Sequence, residues 1–378
     1  MTVISKITAK STPTHLVALR EALAWPQPQF FGKKQASYLC CSQHFLRLHT
    51  CCRLPTLMTD QEWLQQYSAL NNSFRHRMIF RIGVDSGFFS EYNNMILSLL
   101  YCLHHKIQFV LHSNTANFAF QEGWNDFFLP FGRESRDPFV GRYNVRPYII
   151  ENSQENGLKK IIKYSYLIGA YKKLIGVKYF TQDLWHPYRN PEFANTRFTV
   201  PELNWHEAGL LDVCRDVIAR LWRYSAPSAA IVQEFKSLVK LPDEYISIHV
   251  RAGDKSTEVS LTGPDAYVRH AARHSHNRTA FVLTDDYTTV ETLRTSYPDW
   301  IFYTLCSPQE RGYDQKVFAR IDKSTKYNHH LRLFAELDIA AAATHFIGTY
   351  SSNVGMFMGM RIGQEKCDCL DFDQWLIW

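Results

Sequence analysis

An α/β fold built on doubly wound parallel sheet is what the sequence predicts, and three observations predict it. Residues 76–111 read as strand, loop, helix, strand within about the length of one βαβ unit. Residues 244–361 carry four short apolar runs separated by helical periodicities. The polar, chemistry-bearing loops of that second region all follow its strands, at the carboxyl ends where open parallel sheets bind ligands.

The elements follow in chain order. Residues 1–75 look irregular, with Pro26-Gln-Pro28 and the cysteine doublets Cys40-Cys41 and Cys51-Cys52, and are expected to be an extension packed on the first domain. Arg77–Val84 reads as a strand, Asp85–Ser90 as a turn, Glu91–His105 as a helix and Ile107–Leu111 as the next strand. Phe118–Gly132 is aromatic and Gly-containing and reads as loop; Trp124, Phe127 and Phe128 suit either a sugar platform or core. Ser153–Lys173 and His206–Arg223 read as helices, with a Pro- and Asn-rich linker or ordered loop over 186–201 between them. In the second half, Glu244–Val250, Ala280–Thr284, Trp300–Leu305 and His345–Gly348 are strands. Asp265–His274, Thr288–Ser296, His330–Ala343 and Val354–Arg361 are helices. The domains expected are therefore 76–240 and 241–378, after the 1–75 extension.

Composition narrows the class. The chain has 378 residues, 46% apolar and 21% charged, which excludes wholesale disorder and allows two or three domains. The net charge of +6 is spread without a basic run, which suits anionic ligands or membrane headgroups and not nucleic acid. The N-terminal stretch has no apolar core of a signal peptide, and the best apolar run, Met95–Leu103, is too short to span a bilayer. A cytoplasmic chain, peripheral at most to a membrane surface, is the expectation. The 9 cysteines form no secretory framework and read as packing thiols, with zinc as the alternative. No P-loop and no Gly-rich dinucleotide fingerprint is present, which argues against an NTPase or a dinucleotide oxidoreductase.

Three loops carry candidate chemistry. His249-Val-Arg-Ala-Gly-Asp-Lys-Ser-Thr-Glu258 offers Arg251 and Lys255 as cations and Asp254 and Glu258 as carboxylates, a set that suits a diphosphate or is simply a solvated loop. Asp285 and Asp286 end the second strand of this half. Thr349, Ser351, Ser352 and Asn353 precede a helix, where hydroxyls and amides either bind phosphate or cap the helix. Asp338 lies among apolar residues of a helix and either meets a buried partner, such as the donor edge of a guanine, or faces water. Asp371-Phe-Asp373 reads as a tail, and no residue pattern calls for a metal.

Taken in order, His249-Val-Arg251 with Asp254-Lys255, Thr284-Asp-Asp286, Leu337-Asp-Ile339 and Thr349-Tyr-Ser-Ser352 resemble the successive motifs of the α1,6-/α1,2-/protein O-fucosyltransferase superfamily, above all core α1,6-fucosyltransferases and the rhizobial nodulation enzyme. The resemblance covers about residues 244–362 and extends weakly to the Gly87–Asn94 loop. It implies a GT-B-like fold of two Rossmann-like domains facing across a cleft. It further implies GDP-fucose as donor, a glycan acceptor, inversion at the anomeric carbon and no metal or other cofactor. Carried over, Arg251 neutralises the β-phosphate, His249 and Asp338 recognise guanine, and Asp285 and Asp286 support the donor site. Lys255 serves the first loop, Ser352 and Asn353 contact phosphate beside Thr349 and Ser351, and Gly87 and Asn94 belong to the loop opening the first half. Asp254 and Glu258 are the candidate bases.

The sequence departs from the family pattern at two places. Ala252 stands where a second arginine is typical, and Glu258 lies one residue short of the position of the core enzymes' glutamate. Two other readings therefore stand beside a fucosyltransferase: an enzyme of the same fold using another nucleotide sugar, and a non-catalytic nucleotide- or carbohydrate-binding homologue.

Overall fold

Apolar runs that alternate with helical stretches must bury two faces, and this chain does so with two parallel sheets. The structure is a computed structural model that describes residues 58–154, 157, 159, 162–251, 263–312 and 315–377. Helix α1, Asp60–Ser73, begins where residues 1–75 were expected to be irregular. A reciprocal capping box starts it: Thr59 Oγ1 accepts from the Glu62 N–H, and Glu62 accepts from the Thr59 N–H. Its Trp63 and Tyr67 are buried, and Asn71 pairs through its amide with both the N–H and the C=O of Phe109.

Strand β1, His76–Arg81, leads into α2, Phe88–His104, and then β2, Ile107–His112. β1 and β2 are parallel, with His76 opposite Ile107. β3, Tyr179–Phe180, completes a parallel sheet of order β2-β1-β3. Trp124, Phe127 and Phe128 are fully buried, so the core reading of that aromatic stretch holds and the sugar platform does not. Within 153–173 a π-helical turn covers Ile162–Leu167, and an α-helix follows over Ile168–Leu174.

The expected linker at 186–201 is ordered. Helix α3, Thr181–Arg189, tolerates Pro187 near its end, and Pro191–Ala194 is a further short turn. β4, Phe198–Val200, and β5, Trp205–Ala208, form an antiparallel hairpin turned by Asn204 at φ 59°. The helix expected from His206 therefore begins only at α4, Leu210–Leu221, after Gly209. α5, Ala226–Ser237, follows it.

The second sheet contains β6, Ile246–Val250, β7, Thr279–Thr284, and β8, Ile301–Tyr303. Its helices on this side are α6, Pro264–Ala271, and α7, Tyr287–Ser296. Helix α8, Lys323–Ala342, then precedes β9, His345–Gly348, helix α9, Asn353–Ile362, and an unanticipated fifth strand, β10, Cys367–Cys369. The order is β10-β9-β6-β7-β8, all parallel. That is the doubly wound order, with its topological switch between β6 and β9.

The two sheets lie on either side of residue 240, within one unit spanning Leu57–Trp378. They share a core. Phe334 of α8 stands 4.8 Å from Phe88, 5.1 Å from Trp222 and 5.3 Å from Phe128, ring centre to ring centre. Phe89 of α2 stands 4.7 Å from Phe357 of α9. Rings from both halves thus fill one volume, where such contacts add to the area they bury. No helix among the described residues is long and apolar enough to cross a membrane. Phe334→Ala is expected to cost about 3–5 kcal/mol in denaturant unfolding, the range for emptying a buried aromatic site. Both halves should lose that stability together, in one transition read by near- and far-UV circular dichroism.

Candidate functional site

The carboxyl ends of β6, β7 and β9 open onto a cleft of about 350 Å³, and the first turn of α2 forms its opposite wall. β6 delivers His249 and Arg251, and β7 delivers Thr284 and Asp285. The turn after β9 delivers Ser352 and Asn353. Gly87, Phe88, Phe89 and Ser90 face them. The site sits at the switch point, where adjacent crossovers leave in opposite directions and the sheet cannot be covered.

Two helices begin at this cleft. Gly87 is the N-cap of the 17-residue α2, and a Cβ on it would meet nothing within 4 Å, so backbone is exposed there to whatever enters. Ser352 caps α9, its hydroxyl accepting from the Val354 N–H at 3.3 Å. Asn93 of α2 donates from Nδ2 to the Asn353 carbonyl at 2.9 Å and ties the two helix starts together. The turn before α9 is itself held from below. Asp371 accepts from the Tyr350 and Ser351 N–H groups, each at 2.8 Å. The residue read as tail is therefore a brace of the site. A Cβ on Gly355 would collide with the Thr349 carbonyl, so α9 can approach this turn only with glycine there. Two helix N-termini aimed into one cleft present partial positive charge to an anion.

The charged side chains are interlocked. Arg251 Nη1 donates to Asp285 Oδ2 at 3.1 Å. Arg332 of α8 makes a two-pronged pair with Glu310, one arm at 2.8 Å, and lies 3.7 Å from Glu336. Burial pushes Glu310 up, but the hydrogen bonds and charge of Arg332 outweigh it and hold the carboxyl below its ordinary value. Glu336 fares differently. It is buried, and Arg332 has already given its two terminal nitrogens to Glu310. Burial therefore dominates, the Arg332 charge offsets it only in part, and the Glu336 carboxyl is pushed up to about 7. His249 is buried, and burial, aided by Arg251, drives it down to about 3, so its ring is neutral at ordinary pH. Its Nδ1 is buried and has no hydrogen-bond partner among the described residues. Burial likewise lowers His329 and His330 to about 4.

Of the residues singled out in the sequence, Gly87, His249, Arg251, Asp285, Ser352 and Asn353 line this cleft together. Asp254, Lys255 and Glu258 lie outside the described residues. The others are engaged elsewhere. Asn94 accepts from Arg189 at 2.7 Å and donates to the Ser90 carbonyl. Asp286 caps α7 through the Thr288 N–H, and Thr349 is buried with its carbonyl accepting from Ser352 N–H. Ser351 turns its N–H to Asp371.

Asp338, expected at the guanine, does not line this cleft. Its oxygens accept from Trp222 Nε1 at 3.0 Å, Tyr224 OH at 3.0 Å and Arg361 Nη2 at 2.6 Å. Two residues along a helix are turned by about 200°. Asp338 thus faces the core while Glu336 faces the cleft. Glu310, Arg332 and Glu336 line the cleft without a signal in the sequence, because nothing local tells which acid of Glu336-Leu-Asp338 turns toward it. Among the described residues, no group of three His, Cys, Asp or Glu side chains could hold a metal ion. Cys102, Cys214 and Cys306 are buried thiols, and Cys367 and Cys369 are half-buried. The doublets at 40–41 and 51–52 lie outside the described residues.

Asp338→Ala should lower global stability by about 2–4 kcal/mol, since it strands the Arg361 charge and two ring donors. The loss should appear in denaturant unfolding of the protein alone, and unchanged stability in that variant would show that the three donors do not depend on Asp338.

No protein-family model matches the chain, and no curated protein sequence matches it. Solved structures do. The fucosyltransferase NodZ from Bradyrhizobium is similar at 12% identity over 78% of this chain and 94% of that one, with a TM-score of 0.45. FUT1 of Arabidopsis thaliana, solved with GDP, is similar at 12% identity over 82% of this chain and 74% of that one, with a TM-score of 0.43. POFUT1, solved with GDP-fucose, is similar at 12% identity over 77% and 95%, with a TM-score of 0.37. The architecture of this chain is itself two parallel sheets with helices between their strands, and a cleft at the carboxyl ends of the second.

Proposed function

We propose that the chain is an inverting glycosyltransferase that moves fucose from GDP-fucose to a hydroxyl of a glycan acceptor without needing a metal. The observation that supports this most is the cleft itself: two helix N-termini and two arginines, Arg251 and Arg332, gather at the switch point of a doubly wound sheet. Those groups suit a diphosphate. A guanidinium and two helix ends can neutralise its charge, a task that a divalent ion performs in other enzymes. On this reading Arg251 leaves Asp285 for the β-phosphate and stabilises GDP as it departs. The acceptor oxygen forms its bond to the anomeric carbon on the face opposite GDP, while the bond to the β-phosphate oxygen breaks. The hydroxyl proton passes to a carboxylate, for which the family resemblance offers Asp254 or Glu258. His249 and Glu336 stand on the cleft wall as the pair for the base, with Glu336 in the place first given to Asp338.

GDP and GDP-fucose should raise the melting temperature, and UDP should not. A shift with UDP alone would replace guanine recognition by another donor. Arg251→Ala should slow donor hydrolysis and transfer by about 10²–10³-fold, the effect of removing one preorganised charge donor. Wild-type turnover in that variant would remove Arg251 from the reaction.

The Glu336 role has a pH signature. Only its ionised form accepts both donors of a guanine edge, and its carboxyl ionises at about 7. GDP affinity should therefore strengthen as pH rises through about 7 and weaken below it, approaching about tenfold per pH unit on the acid side. Calorimetric titration from pH 6 to 8 reads this. In Glu336→Gln that component should be gone, leaving only the ionisation of GDP. An unchanged profile in the variant would assign the dependence elsewhere.

A further inference from the structure

Four arginines that no carboxylate among the described residues neutralises line two adjoining grooves, together a trough beside α1. A basin of about 660 Å³ is lined by Arg75, Arg77 and Arg133, together with Ser68, Asn72 and Gln108. No Asp or Glu among the described residues lines it. None of these three arginines forms an ion pair among the described residues, whereas Arg136 pairs with Glu122 and Arg215 with Glu365. A second groove of about 630 Å³ shares Ser68 and Asn72 with the basin and runs along α1 to Arg223. The Arg223 Nε is buried and has no hydrogen-bond partner among the described residues.

The floor of the basin is fixed in place. Arg77 and Gln108 are the second residues of β1 and β2 and lie opposite each other in register. Arg77 Nε donates to Gln108 Oε1 at 2.8 Å, and Gln108 Nε2 donates to Asn72 Oδ1 at 2.9 Å. This relay uses the inner nitrogen of Arg77 and leaves its two terminal nitrogens without a protein acceptor. The guanidinium is thereby held in one orientation before a ligand arrives, which lowers the ordering cost of binding. Arg75 and Arg133 are exposed on the rim. Cations of one sign left unpaired in a concavity repel one another, and the arrangement is relieved only by anions.

We infer that this trough is a binding site for a ligand carrying two or more phosphate or sulfate groups. The guanidinium fork matches the oxygen spacing of those groups and can engage them in pairs. The amides of Asn72 and Gln108 add uncharged contacts for hydroxyls between the anionic groups. The volume exceeds what one bare ion would fill, and the site lies at the amino-terminal ends of β1 and β2, so its occupation leaves the cleft open.

The test uses the full chain and two probes. Inositol hexakisphosphate presents the groups in a soluble molecule, and phosphatidylcholine vesicles containing phosphatidylinositol bisphosphate present them on a lipid surface. Binding of at least one probe at physiological ionic strength is expected, weakening as salt is raised. Arg75→Ala combined with Arg133→Ala should reduce it by about tenfold for each arginine removed. Both side chains are exposed and donate no hydrogen bond within the protein, and the melting shift produced by GDP should be the same in the variant. Retention on vesicles without soluble binding would identify a lipid source, and the reverse a soluble one. Failure of the parent chain to bind either probe, or equal binding by parent and variant, would overturn the inference.

Discussion

The aromatic contact between the start of α2 and the helices α8 and α9 is the constraint on which the rest of this molecule depends. Phe88 and Phe89 follow directly on Gly87, and both rings are buried against Phe334 and Phe357 from the other half of the chain. The first turn of α2 therefore cannot move relative to the second sheet without opening apolar surface to water. The same turn is one wall of the cleft. Core packing and site geometry are in this way one feature, and the distance between the cleft's two walls is set by ring volumes.

Polar interactions secure that frame around its edge. Asp338 gathers Trp222, Tyr224 and Arg361 under α8, and the Arg361 guanidinium lies 5.1 Å from the Trp222 ring centre. Asn93 joins α2 to the start of α9, and Asp371 holds the turn before it. Asp338 and Asp371 are thus structural, while the acid that lines the cleft, Glu336, is one whose carboxyl burial pushes up to about 7. Glu336 shows why. Its neighbour Arg332 is already committed to Glu310, and a desolvated carboxylate with a shared partner loses more from burial than it gains from charge.

Much of the parallel framework was legible because parallel strands are short apolar runs and their crossover helices keep a strong period. β1, β2, β6, β7 and β9 appear within a few residues of their expected bounds. The polar strand ends were legible for the same reason, and His249, Arg251, Asp285, Ser352 and Asn353 do meet. What was not legible depends on partners far away in sequence. The helix at 60–73 had its capping box in plain view, yet its burial comes from Phe109 and Trp205, which no local pattern reveals. β10 is three residues of mixed character that become a strand only because β9 offers a free edge.

The sequence alone determined the class of fold, the polar residues at the strands' carboxyl ends, and the excess of positive charge. These follow from periodicity, from residue type at strand ends and from counting, all of which are local or additive. The tertiary structure alone decided that Glu336 and not Asp338 lines the cleft, that His249 is neutral with a ring nitrogen unmet among the described residues, and that Arg75, Arg77 and Arg133 share a basin beside α1 with no carboxylate among the described residues that line it. Helix rotation, burial and the pairing of charges are properties of neighbours in space, and a chain of residues does not state its neighbours.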